Sequence, residues 1–406
     1  MIFLFFISFI TLVVLLTYLD KKLWGTIYTP AIVLVWPFLI LLIIDSFYLK
    51  SNFTYFRLNQ NVILIWFFGI LVFWVAGLLV KLSFKDIKVS KLQLETYGNN
   101  ITISKSKLCL LFYISYPLIF ICIFKIYTIA SSFGFNFGDD NFQDNLGKGF
   151  IAHSILLLIL ISIFLIIFFN KSYYKALQIG IIVITLIFSV LYAVKSWIII
   201  PLISSFIGRL LLKKTKLKFS HLIVFISPFL IFWLIYKISL GFESSNDEFI
   251  FQHMIDYLLS GPIAFSEHLN QNLPIGTEPG YAFTPLINIF RFLIGEKPLS
   301  PISNYYVTIS TGFEPNVKTF FGTLYIYGGL SYILTSFLLG IMFYSYLLVF
   351  CYSLNSQSTP FVTSLYVFML GLLFMGWFDS YVIHLSLYEI PFWVLLLHFL
   401  FKIKNS

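Results

Sequence analysis

Long apolar runs separated by short polar stretches dominate this chain. Windows of roughly 20 mostly apolar residues, enough to cross the hydrocarbon of a bilayer, fall at 2–19, 28–47, 61–80, 108–130, 150–169, 176–194, 196–212, 220–240, 322–350, 361–378 and 386–401. The pattern predicts an all-α polytopic transmembrane bundle of about eleven spans, one integral membrane domain covering residues 1–406. One connection breaks the rhythm. Residues 241–321, between the eighth and ninth windows, form a long polar loop. Inside it Ile250, Met254 and Leu258 fall on one helical face, with Gln252, His253, Asp256 and Ser260 on another. Gly261-Pro262 predicts a helix break, Phe265-Ser266-Glu267-His268 a short resumption, and Pro274 to Gly280 irregular turns. The stretch from Pro285 to Ile294 is apolar except for Asn288 and Arg291. It is too short to cross, and is expected at the interface or dipping partway in.

Charge orients the spans, because short cytoplasmic loops collect Lys and Arg. The connections richest in base are 81–107 and 209–218, joined by Lys21, Lys22, Lys171, Lys175, Lys402 and Lys404. With eleven spans and the N-terminus outside, all of these fall on the cytoplasmic side, and the 241–321 loop faces out. Residues 1–19 lack a basic leader and a small-residue cleavage site, so they read as a retained first span. Composition agrees: 59% hydrophobic residues, 11% charged and a mean hydropathy of +0.94 need lipid as solvent. The net charge of +9 then belongs to loops and implies no nucleic acid. Cys109, Cys122 and Cys351 lie in or beside spans and imply no disulfide framework. The six histidines do not cluster, and neither HxxxH nor CxxC spacing occurs, so no metal is expected. Asp139-Asp140 reads as a solvated outer loop. No P-loop or dinucleotide fingerprint is present, and no cofactor is expected.

Basic residues on the outer side are scarce, so each carries information. Lys195 sits in the tight turn Tyr192-Ala193-Val194-Lys195-Ser196-Trp197, where a cation opposes the charge rule and needs an anionic partner. A phosphate or pyrophosphate is one candidate, and snorkelling to lipid headgroups is the other. Arg291 in its apolar setting is a candidate for a two-point phosphate grip, or for a headgroup contact, and Lys318 stands evenly between such readings. Glu267 and His268 are candidate bases toward a sugar hydroxyl, or solvated loop positions.

The segment Glu314-Pro315-Asn316-Val317-Lys318-Thr319-Phe320-Phe321-Gly322-Thr323-Leu324-Tyr325-Ile326-Tyr327-Gly328-Gly329-Leu330 resembles one in bacterial oligosaccharide repeat-unit polymerases, the Wzy-type O-antigen and capsule polymerases. There an Asn-rich stretch runs into Gly-x-x-Tyr-x-x-x-Gly. Tyr257 to Ala264 is similar to a loop segment of those proteins, and Lys195-Ser196 resembles their short Gly-Ser-Arg turn. Lysine replaces the usual arginine there, and Tyr327 stands where many members have an acid. The resemblance implies a metal-independent membrane glycosyltransferase in the bacterial cytoplasmic (inner) membrane. Its substrate would be an undecaprenyl-pyrophosphate-linked glycan, moved onto the terminal sugar of another lipid-linked repeat unit. Lys195, Arg291 and Lys318 would then hold the pyrophosphate, Glu267 or His268 would act as base, and Asn316 and Tyr325 would contact substrate. Tyr281, with Phe283, Tyr305 and Tyr306, would stack on sugars, or simply anchor the loop at the interface. Membrane lipid, a chain-length regulator and a flippase are the partners such an enzyme would work beside. Two alternatives remain open at this point. A lipid-linked oligosaccharide flippase would show paired halves and charges inside its spans. A membrane O-acyltransferase would need a histidine with an acidic or basic partner, for which His384 after Asp379 is a weak candidate.

Overall fold

A computed structural model describes residues 2–401 except 45–57, 85–86, 102, 136–139, 170–172, 192–195, 279, 300–305, 309–313, 357–359, 385 and most of 219–245. In chain order its helices are α1 (Ile2–Trp24), α2 (Pro30–Ile44), α3 (Gln60–Ser83), α4 (Lys91–Asn100), α5 (Lys105–Ser132), α6 (Asp140–Leu146), α7 (Gly149–Ile167) and α8 (Lys175–Leu191). They continue as α9 (Ser196–Leu211), α10 (Asn246–Asn270), α11 (Thr284–Leu293), α12 (Phe320–Gly328), α13 (Tyr332–Ser356), α14 (Pro360–Phe374) and α15 (Ser386–Phe401). No strand occurs among the described residues.

Among the described residues six segments are long and apolar enough to cross a membrane: Leu4–Trp24, α3, α5, α7, Phe320–Leu354 and Pro360–Trp377. Helices α2, α8, α9 and α15 are also apolar; their described parts run 15, 17, 16 and 16 residues, and each borders residues outside the description. The expected window at 220–240 lies almost wholly outside the described residues.

The long loop corrects one expectation. Gly261-Pro262 does not break the helix, because α10 runs unbroken through both residues. Proline removes one backbone donor, but the helix is held there by tertiary contact. A Cβ on Gly261 would lie 2.5 Å from the carbonyl oxygens of both Trp377 and Phe378. Farther on, α11 buries none of its residues, and Phe290, Phe292 and Leu293 are all exposed. An amphipathic helix with a bare apolar face suits a membrane interface.

The chain forms two compact units. One comprises Met1–Ser90, Phe229–Cys351 and Leu372–Tyr388. Lipid tails give helices no hydrophobic reason to associate, so close packing must serve. Gly69 of α3 shows this: a Cβ there would lie 2.5 Å from the Phe321 ring. Trp66, one turn earlier, stacks on Phe38 at 3.8 Å and meets Phe321 edge-on at 4.9 Å. Buried Asp20 of α1 accepts from Thr29 Oγ1, from Trp74 Nε1 at 2.7 Å and from Tyr344 Oη at 2.9 Å. A buried carboxyl so fully bonded locks α1, α3 and α13 together.

The second unit comprises Lys91–Pro228, Tyr352–Gly371 and Glu389–Ser406. Its axis is α7, apolar and buried around most of its circumference. Phe164 stacks on Phe361 at 4.1 Å. Near the N-terminal end of α7, His153 Nδ1 lies 2.8 Å from Glu389 Oε2, while Trp393 Nε1 donates to Glu389 Oε1 at 2.6 Å.

Candidate functional site

The apolar run after the long loop is a broken helix. Gly329 adopts φ +55° and ψ −139°, a backbone that L side chains avoid, and a 3-10 turn over Gly329–Ser331 separates α12 from α13. The break frees carbonyls that lipid cannot satisfy. Two are met by the loop: Gly276 N–H donates to Ile326 O at 2.6 Å and Glu278 N–H to Tyr327 O at 2.8 Å. The approach is so close that a Cβ on Gly276 would sit 2.7 Å from Tyr327 O. Loop and broken helix are thus one object.

The other end of α12 is strained. Thr319, its N-cap, has φ +68° and ψ 165°, a region almost confined to glycine. Its surroundings hold it there. Thr319 N–H donates to Phe378 O at 3.1 Å, and Thr319 Oγ1 accepts from Trp66 Nε1 at 3.1 Å and from Gly322 N–H at 3.3 Å. The 377–378 carbonyls are therefore gripped by α10 at Gly261 and by Thr319. The next residue is Asp379.

Asp379 Oδ1 accepts from Thr323 Oγ1 at 2.6 Å and from Ser380 N–H at 2.8 Å. The residue keeps partial contact with solvent. Desolvation pushes its carboxyl up to about 6, against the opposing pull of Thr323, Ser380 and the Lys318 charge. Lys318 is 2% exposed, and its Nζ donates to Pro315 O at 3.1 Å. Burial lowers its ammonium to about 8, with Asp379 acting in the opposite sense. His268 is enclosed in α10. Its Nε2 must carry the proton, since its partner at 3.0 Å is the Pro274 carbonyl oxygen. Burial, then the charge of Lys318, holds its imidazole below the ordinary range despite that bond.

Of the residues singled out from sequence, Lys318 and His268 come together here. Tyr281 stacks on Tyr327 at 4.0 Å and 9° and is 8% exposed, so its ring already has a partner. Burial, aided by the Asp379 charge, pushes the Tyr281 hydroxyl above its usual range. Tyr325 is half-buried against Tyr332 and Phe265. Asn316 is exposed. Glu267 is half-exposed and accepts from Asn270 Nδ2 at 3.2 Å. Arg291 is engaged by its own loop: Nε donates to Lys297 O at 2.7 Å, and a nitrogen lies 3.3 Å from Glu296 Oε2. Tyr306 is exposed, whereas Lys195 and Tyr305 lie outside the described residues. Sequence reasoning attached Asp379 only to His384 and missed its place here. His384 stacks instead on Tyr381, and burial pushes it down to about 4.

An all-helical membrane protein with a loop locked onto a broken helix is the class these features define. Residues 53–406 match a family of unknown function (DUF6337), and the chain belongs to that family. No curated protein and no solved structure matches it.

Proposed function

We propose that the protein joins undecaprenyl-pyrophosphate-linked oligosaccharide repeat units into O-antigen or capsular polysaccharide, on the outer face of the bacterial cytoplasmic membrane. Lys318 is the observation that carries this reading. Its ammonium is buried just before the N-terminus of α12, where the helix dipole is also positive. Cation and helix end together favour an anion, and a departing pyrophosphate is the anion that the resemblance implies. The reading takes eleven spans with the N-terminus outside and the C-terminus inside, which puts the loop and Lys318 on the outer side. Arg291 is the second cation of this scheme, and its guanidinium would exchange Glu296 for a pyrophosphate oxygen. The bare apolar face of α11 would seat the loop in the lipid from which the carrier-linked substrate approaches.

Deleting the gene tests the reading. The host should then carry single repeat units on lipid A core or carrier lipid, with the long-chain ladder gone. An unchanged ladder would contradict it, and repeat units stranded on the cytoplasmic side would favour a flippase. One observation supports a second reading. The His153–Glu389 pair is the histidine–acid arrangement that an O-acyltransferase needs. That activity would leave the ladder intact and remove ester-linked acyl groups from it, as read by NMR of the purified polysaccharide.

A further inference from the structure

We infer that Asp379 is the general base that takes the proton of the acceptor hydroxyl, a role that rests on the polymerase reading of the same site. Three carboxyl or imidazole groups compete for it. His268 is enclosed, and with Nε2 donating to Pro274 O the nitrogen that could take a proton is Nδ1, which is buried out of a substrate's reach. Glu267 lies in the polar set of Asn270 and Asn59, the two asparagines bonded to each other at 2.8 Å. Asp379 alone combines a fixed carboxyl with the Lys318 cation. Thr323 Oγ1 and Ser380 N–H both fasten its Oδ1, and the residue keeps partial contact with solvent. A base must be positioned yet reachable, with a proton affinity near the working pH. A carboxyl pushed up to about 6 meets the last condition. The groups facing it are Lys318 before α12, Thr323 on α12, Ser380 beside it in the chain and Tyr281 from the loop, while Lys318 also faces His268 of α10.

The step balances without another reagent. The acceptor O–H proton passes to the Asp379 carboxylate, and the freed oxygen bonds to the anomeric carbon of the donor. The bond from that carbon to the pyrophosphate oxygen breaks, and its electron pair leaves on the pyrophosphate beside Lys318. Asp379 then releases its proton to water. The acceptor grows by the donor glycan, and the donor's carrier departs as undecaprenyl pyrophosphate.

The test uses the full-length protein in proteoliposomes, with the carrier-linked repeat unit extracted from a host strain that lacks this gene. Asp379→Asn should lower the turnover rate about 100- to 10,000-fold with the KM for donor unchanged. Thr323→Val removes a bond that favours the ionised carboxyl, so the acid limb of the pH–rate profile should move to higher pH. If wild type extends the repeat unit but Asp379→Asn stays within about threefold of it, the base assignment falls and the polymerase reading stands. An unmoved limb in Thr323→Val overturns the assignment equally, even if Asp379→Asn fails to fold. If wild type itself extends nothing, the polymerase reading fails and the role of Asp379 falls with it.

Discussion

Thr319 is held in a glycine-like backbone by its own side chain and its neighbours, so its hydroxyl should matter more than its shape. Thr319→Val keeps the volume but leaves Trp66 Nε1 and Gly322 N–H unmatched in a buried place. We expect it to destabilise the protein by about 1–3 kcal/mol, read as a lower thermal unfolding temperature in detergent, while Thr319→Ser stays close to wild type. Lys318→Met leaves the Asp379 carboxylate without its cation and Pro315 O without its donor, so the unfolding temperature should fall, and the extension rate should drop about 100- to 1,000-fold. The pH dependence follows from the same pair. Asp379 must be ionised, so the rate rises through about pH 6, and Lys318 must be protonated, so the rate falls as pH passes about 8. An initial-rate profile of chain extension checks both limbs. Lys318 was legible in sequence because a base in an outer loop is rare. Asp379 was not, since its hydrogen-bond partner Thr323 is 56 residues away and an acid at a span end reads as a solvated interface.

Among the elements, the broken helix was hidden by its own hydropathy. The window at 322–350 reads as one span because the residues around Gly328-Gly329 are apolar throughout, and hydropathy does not register a break in the helical backbone. The loop strap that completes it depends on bonds from 276 and 278 to 326 and 327, which no local pattern encodes. The opposite error befell α10, where Gly261-Pro262 looked like punctuation. There the glycine allows contact with the 377–378 carbonyls, and packing outweighs the proline. Gly276→Ala should therefore act at a distance. Its Cβ would press on Tyr327 O, loosening the strap, so limited proteolysis between 271 and 280 should quicken and the extension rate should fall. An alanine variant as resistant as wild type would show that the strap tolerates the added carbon.

For the molecule as a whole, composition declared the solvent at once, because so apolar a chain has no aqueous alternative. The number of crossings was less legible. Among the described residues six segments satisfy length and hydropathy together, while α2, α8, α9 and α15 are apolar and each borders residues outside the description. Single cysteines, introduced after replacing Cys109, Cys122 and Cys351 with serine, test the eleven-span orientation. A cysteine at Glu296 should react with an impermeant maleimide in intact cells, and one at Lys91 only after permeabilisation. The reverse pattern would place the long loop in the cytoplasm and remove the proposed site from its substrate. Beyond topology stands the reaction itself, and it is tested most directly by reconstituting the purified protein with its carrier-linked repeat unit. Products of two, three and more repeats on one carrier should form, with undecaprenyl pyrophosphate released for each bond made. A single repeat unit that persists unextended, or merely crosses the bilayer, would contradict the polymerase reading.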